Sequence, residues 1–200
     1  MSDGSITRQT DLFVRAADDA SAALSRWLGQ PTRISVRRLE ALPLERAVGV
    51  LGVGEGPLVA CAMRISGAVD GILVLACDDP SGLALADMLL GRAAGSSTEW
   101  GELETSAAVE TANIIGCAYL NAMTTAETAA GASAGASVLP TPPWFVRDFA
   151  AAVMEGVMLS QASDAETIFL THTDFVIANS PVTCSLLFVP EVGTDTRPRA

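Results

Sequence analysis

The 200-residue chain contains no lysine; all 12 of its basic residues are arginine. Without a lysine amine it cannot be a P-loop nucleotide hydrolase or run Schiff-base or pyridoxal chemistry. Histidine occurs once, as His172. That excludes most multi-histidine metal sites and makes a histidine-based triad a poor candidate. Positive charge is scarce overall. The 23 acidic residues leave a net charge of −11, so no basic face is available for nucleic acid or an anionic membrane. No apolar run approaches the roughly 20 residues of a membrane span. The stretch Met1 to Arg8 lacks the apolar segment of a signal peptide, and the expected location is the cytoplasm. The four cysteines, Cys61, Cys77, Cys117 and Cys184, form no C-x-x-C pair and sit among apolar neighbours. They are expected to be reduced and buried. What is present is a chain 50% hydrophobic and 18% charged, the composition of a folded domain rather than a disordered segment.

Periodicity gives two halves of similar plan. In the first, apolar residues at helical spacing run from Thr10 to Leu28, with Gly29 and Pro31 as stops. Arg33–Leu39, Leu58–Ile65 and Gly71–Ala76 read as strands, and Arg46–Val53 is β-like. Asp78-Asp79-Pro80-Ser81 starts a helix that ends at Gly91. Residues 92–98 form a small, polar linker. Ser96-x-x-Glu99 then suggests a capping box for a long helix to about Thr125. Gly131–Gly135 reads as a loop and Ser137–Leu139 as a short strand. Phe145, Phe149, Val153 and Val157 recur every four residues after Pro142-Pro143, which predicts a helix capped by Thr141. Thr167–Ile177 and Val182–Val189 predict a hairpin around Asn179-Ser180-Pro181. The expected fold is α+β, a mostly antiparallel sheet flanked by long helices. One domain of two pseudo-symmetric halves is expected, about residues 8–92 and 96–190, with a loose tail at 191–200.

The long helix of the second half carries the most informative pattern. Ala107, Ala108, Ala112, Ile114, Ile115, Ala118, Tyr119, Ala122 and Met123 fall on one apolar arc. Ser106, Glu110 and Asn113 stand at i, i+4 and i+7 on the opposite side, within an arc of roughly 60°, and Cys117 comes next. Serine and glutamate are ordinary on a solvated face. Asparagine is a poor helix former in mid-helix, so its presence among strong helix formers points to a role for its side chain.

Ser106-x3-Glu110-x2-Asn113, followed by Pro140, resembles the signature of the CheC, CheX and FliY chemotaxis phosphatases. Pro140 stands 27 positions after Asn113, a few more than is usual for that family. The resemblance extends over about residues 8–190 through Leu28-Gly29-Gln30-Pro31, Leu42-Pro43-Leu44, Ala86–Gly91, Leu139–Pro143, Phe169–Phe175 and Leu186–Pro190. It implies a pseudo-twofold fold and removal of the phosphoryl group from the aspartate of a CheY-like response regulator. Asn113 would orient the attacking water, Glu110 would dock against a regulator lysine, and Ser106 would support or dock. The Mg²⁺ would belong to the regulator, and this chain would bind no cofactor or metal of its own. The resemblance also admits CheD, a receptor deamidase, as a partner, and Val14, if exposed on the first helix, would suit a docking contact or a surface between two copies of the chain.

Members with two active sites repeat the motif on their first helix. Counting back from Leu28-Gly29-Gln30-Pro31 puts Thr7, Asp11 and Val14 at the three motif positions. Valine cannot orient water and aspartate is one methylene shorter than glutamate, so this first site is expected to be degenerate. Two other readings stand beside the phosphatase. One is a non-catalytic module of the same fold that sequesters a regulator or adaptor. The other is a scaffold whose halves only assemble with other chains.

Overall fold

The computed structural model describes residues 3–43, 46, 48–49, 56–67, 70–129, 138–159, 168–177 and 180–190. Helix α1 runs from Asp3 to Leu28 and is followed by strands β1 (Thr32–Leu42), β2 (Leu58–Gly67) and β3 (Gly71–Asp78). Helix α2 (Asp79–Leu89) leads through the linker to the long helix α3 (Glu102–Ala129). Strands β4 (Val138–Pro140) and β5 (Trp144–Asp148), helix α4 (Ala150–Leu159) and strands β6 (Ile168–Ile177) and β7 (Ser180–Pro190) complete the order.

The strands form one sheet in the order β1-β6-β7-β3-β2-β4, with β5 also on β2, and every pairing is antiparallel. Strands β3 and β7 meet at the centre. Each half sends its first strand to the far side: β1 pairs with β6, and β4 and β5 line the outer edge of β2. Thr141 bridges the gap between β4 and β5. Its N–H donates to the Arg64 carbonyl at 2.9 Å, and its Oγ1 accepts from the Arg64 N–H at 3.1 Å.

Both faces of the sheet are covered. Val59, Cys61, Met63 and Ile65 of β2, with Leu73, Leu75 and Cys77 of β3 and Cys184, Leu186 and Phe188 of β7, face α1, α2 and α3. The alternate residues Leu58, Ala60, Ala62, Ile72, Val74, Ala76, Leu187 and Val189 pack with Ala150, Val153, Met154 and Val157 of α4. This two-sided burial is why the central strands read as unbroken apolar runs rather than alternating ones.

Local chemistry sets the helix ends. Asp78 caps α2, its carboxylate accepting the Ser81 N–H at 2.7 Å, with Pro80 in the first turn. Gly29, at φ 63°, takes the left-handed conformation that ends α1. Helix α1 is then stitched to the free edge of β1. Ser21 and Ser25 hydroxyls accept the N–H groups of Ile34 and Thr32 at 2.8 and 2.9 Å. These bonds occupy strand donors that would otherwise offer an open edge.

Three local expectations change. The proline pair does not open a helix: Trp144–Asp148 adds to β2 as a strand, and the helix starts at Ala150. The long second helix starts at Glu102, and its reciprocal cap is Glu104, whose Oε2 accepts the Gly101 N–H at 3.1 Å. Ser96 and Glu99 therefore precede the helix rather than cap it. Of the segment read as β-like after Arg46, the described residues Arg46, Val48 and Gly49 are helical. The loop at Gly131–Gly135 and the tail at 191–200 lie outside the described residues.

Candidate functional site

Helix α3 is anchored at its start by buried polar groups. Asp87 of α2 is fully buried, and its carboxylate accepts the Ser97 N–H at 3.0 Å and the Ser97 hydroxyl at 2.5 Å. Burial alone would raise its pKa. The Ser97 bonds and the backbone N–H groups of Ser96 and Gly95 outweigh that and hold it below the usual carboxylate range. Arg92 reaches the Ser97 hydroxyl at 3.2 Å and pairs with Glu104 in the first turn of α3 at 2.5 Å. On the other side of the linker, Asp79 takes a bidentate contact from Arg147 of β5, at 2.7 and 2.8 Å, and the Trp100 indole N–H at 2.8 Å. The Arg147 bonds are the main reason its pKa is lowered. Trp100 also packs on Phe145, with ring centroids 5.0 Å apart.

The buried side of α3 seats it closely on the sheet. Ala107, Ala108, Ala112, Ile115, Ala118, Tyr119 and Leu120 are buried there, and α1 lies alongside. Thr111 is also fully buried and satisfies its hydroxyl on the Ala107 carbonyl at 2.8 Å. Gly116 lies against the end of the Met63 side chain of β2, in space that a Cβ would overlap. Glycine leaves room for that side chain, and the buried residues from Ala107 to Leu120 set the rotation of the helix about its axis.

That rotation points the candidate stripe outward. Ser106 and Glu110 are exposed, and Asn113 and Cys117 are half-buried. The helical rise puts Ser106 and Asn113 about 10 Å apart along the axis, with Glu110 between them. The Cys117 thiol donates to the Asn113 Oδ1 at 3.8 Å. Burial first, and then the Glu110 charge, push the Cys117 thiol pKa up. One further residue belongs to the same stripe and escaped the sequence reading: Leu103, three positions before Ser106, is 59% exposed. Its signal was available, since positions 103, 106, 110, 113 and 117 follow one 3-4-3-4 spacing.

On α1, Val14 is 43% exposed, while Ala16, Ala17, Ala20 and Leu24 are buried. Thr7 and Asp11 lie in the same helix, but their side chains fall outside the described residues. Among the described residues, no group of three or more His, Cys, Asp or Glu is placed to hold a metal ion. No helix among them is long and apolar enough to cross a membrane.

No protein-family model matches the chain. Solved structures do. FliY from Thermotoga maritima superposes with a TM-score of 0.77 at 16% identity, covering 95% of this chain and 91% of that one. The FliM middle domain from H. pylori gives 0.68 at 12% identity, covering 95% and 94%. CheX from Borrelia burgdorferi, solved with CheY, BeF3 and Mg²⁺, gives 0.54 at 15% identity, covering 90% and 96%. At these identities the likeness is one of fold. The chain has the α+β fold shared by FliY, CheX and the FliM middle domain.

Proposed function

We propose that the chain is a cytoplasmic phosphatase of chemotaxis or two-component signalling, acting on the phospho-aspartate of a CheY-like response regulator. The observation that carries this reading is the placement of the exposed Glu110 and the half-buried Asn113 one turn apart on the open stripe of one long helix. A shared fold with a CheX that binds CheY beside BeF3 and Mg²⁺ supports it. BeF3 on a carboxylate oxygen has the shape and charge of a phosphoryl group.

In the reaction, water attacks phosphorus in line with the aspartyl oxygen. The P–O bond to the aspartate breaks, the carboxylate leaves, and inorganic phosphate is released. Such a transfer needs positioning and charge neutralisation more than a strong base. The uncharged Asn113 amide suffices to align the water. Glu110 pairs with a lysine of the regulator, and Ser106 and Leu103 extend the contact along the stripe. Neutralising charge comes from the regulator's lysine and its Mg²⁺, which suits a chain with no lysine. The α1 stripe of Asp11 and Val14 lacks the amide and contributes no second active site. We take the two halves as one domain.

A second reading is a non-catalytic module of the same fold. It is favoured by the FliM middle domains, one solved with FliG and another with SpeE, at TM-scores of 0.66 and 0.65. Following the loss of phosphoryl group from a phosphorylated CheY-like regulator separates the two. Acceleration by the wild type that disappears in Asn113→Ala and falls severely in Glu110→Ala supports catalysis. Stable binding without acceleration by any regulator of the same genome would favour the module.

A further inference from the structure

We infer that Cys117 is a positioning residue for Asn113, holding the carboxamide in one orientation. This rests on the reading of Asn113 as the water-orienting group. The two residues stand at i and i+4 on one helix face, and the thiol donates to the amide oxygen at 3.8 Å. With the oxygen engaged, the bond favours one orientation of the carboxamide over its flipped alternative. An asparagine on an exposed face otherwise spends its time among several rotamers, and only one of them aligns water.

The surroundings of the thiol suit this task. Cys117 is half-buried, whereas the other three cysteines are buried in the sheet core. It therefore sits at the border between the packed face and the open stripe. Glu110, one turn before Asn113, is the charged group that acts on it. Burial and that charge keep the sulfur as a neutral S–H, the form that can donate. A thiolate would repel the amide oxygen instead.

The test compares the wild-type chain with Cys117→Ala, Cys117→Val and Cys117→Ser. Valine keeps the bulk and loses the donor; serine keeps a donor. The first readout is the ¹⁵N relaxation of the Asn113 side-chain amide, identified by its absence in Asn113→Ala. It needs no regulator. The amide is expected to be ordered in the wild type, more mobile in the alanine and valine variants, and largely restored in serine. The second readout is dephosphorylation of a phosphorylated CheY-like regulator. Alanine and valine are expected to lower kcat about two- to threefold at unchanged KM, the loss of one weak hydrogen bond. An Asn113 amide equally ordered in all four proteins would overturn the inference, as would a valine variant with wild-type kcat. If the wild type fails to accelerate dephosphorylation, the phosphatase reading falls, while the relaxation data still decide whether Cys117 orients Asn113.

Discussion

Replacing Asp87 with alanine removes the acceptor that ties the linker to α2, and the structure gives the size of the effect. The carboxylate is fully buried and takes two bonds from Ser97, at 2.5 and 3.0 Å. A hydrogen bond to a charged group is worth about 1.5–3 kcal/mol, and donors left buried without a partner cost more. The exposed part of the linker recovers water on opening, so a net loss of about 3 kcal/mol is expected. For a domain of this size each kcal/mol lowers the thermal midpoint by roughly 2–4 °C, or about 10 °C in all. Asp87→Asn keeps the shape but turns an amide nitrogen toward donors, so it should cost nearly as much. The pH dependence provides a second check. The folded-state pKa of Asp87 is depressed. Its stabilisation is therefore present above the unfolded-state carboxylate pKa and is lost as pH falls through the lower folded value. The gap between wild type and Asp87→Ala, measured by chemical denaturation from pH 7 to pH 3, should narrow in the acid range. A gap below about 1 kcal/mol at pH 7, or one that widens toward pH 3, would refute the reasoning.

Gly116→Ala forces a methyl against Met63; overpacking costs about 1–3 kcal/mol, and the better helix propensity of alanine returns about 1. A net loss of up to about 2 kcal/mol in urea unfolding is expected, and in a double-mutant cycle the cost of Gly116→Ala should be smaller in a Met63→Ala background. Leu103→Ser should leave the thermal midpoint within about 2 °C, because the side chain is exposed, while weakening regulator binding several-fold in a titration. Val14→Ala should leave the phosphatase rate within about twofold, since a valine offers nothing to the water; a large loss would show that α1 takes part in the reaction.

Much of this was legible in the sequence because the responsible interactions are local. Asp78 and Pro80 announce α2, and Gly29 announces the end of α1. Apolar runs of strand length mark β2, β3 and the β6–β7 hairpin. The stripe on α3 follows from helical spacing alone. What escaped depends on partners far away in the chain. Phe145, Phe149, Val153 and Val157 keep a helical period, yet residues 144–148 pair with Leu58–Ala62, and Arg147 meets Asp79. Sheet pairing and that ion pair override the period. Ser96-x-x-Glu99 has the form of a cap, but the neighbouring Ser97 is engaged by the buried Asp87, so the cap falls at Gly101 and Glu104 instead. Nothing in local spacing distinguishes those two registers. The weak thiol–amide bond between Cys117 and Asn113 was likewise hidden, because spacing places both on one face without showing that they touch.

The central claim is that the Asn113 amide aligns the attacking water while the rest of the stripe docks the regulator. The most direct test is single-turnover dephosphorylation of a phosphorylated CheY-like regulator with saturating wild type or Asn113→Ala. It is paired with a titration of each protein against the BeF3-loaded regulator. The account expects the variant to bind within a few-fold of wild type and to accelerate phosphate release hardly at all. An Asn113→Ala protein that binds equally well and still releases phosphate at the wild-type rate would contradict it.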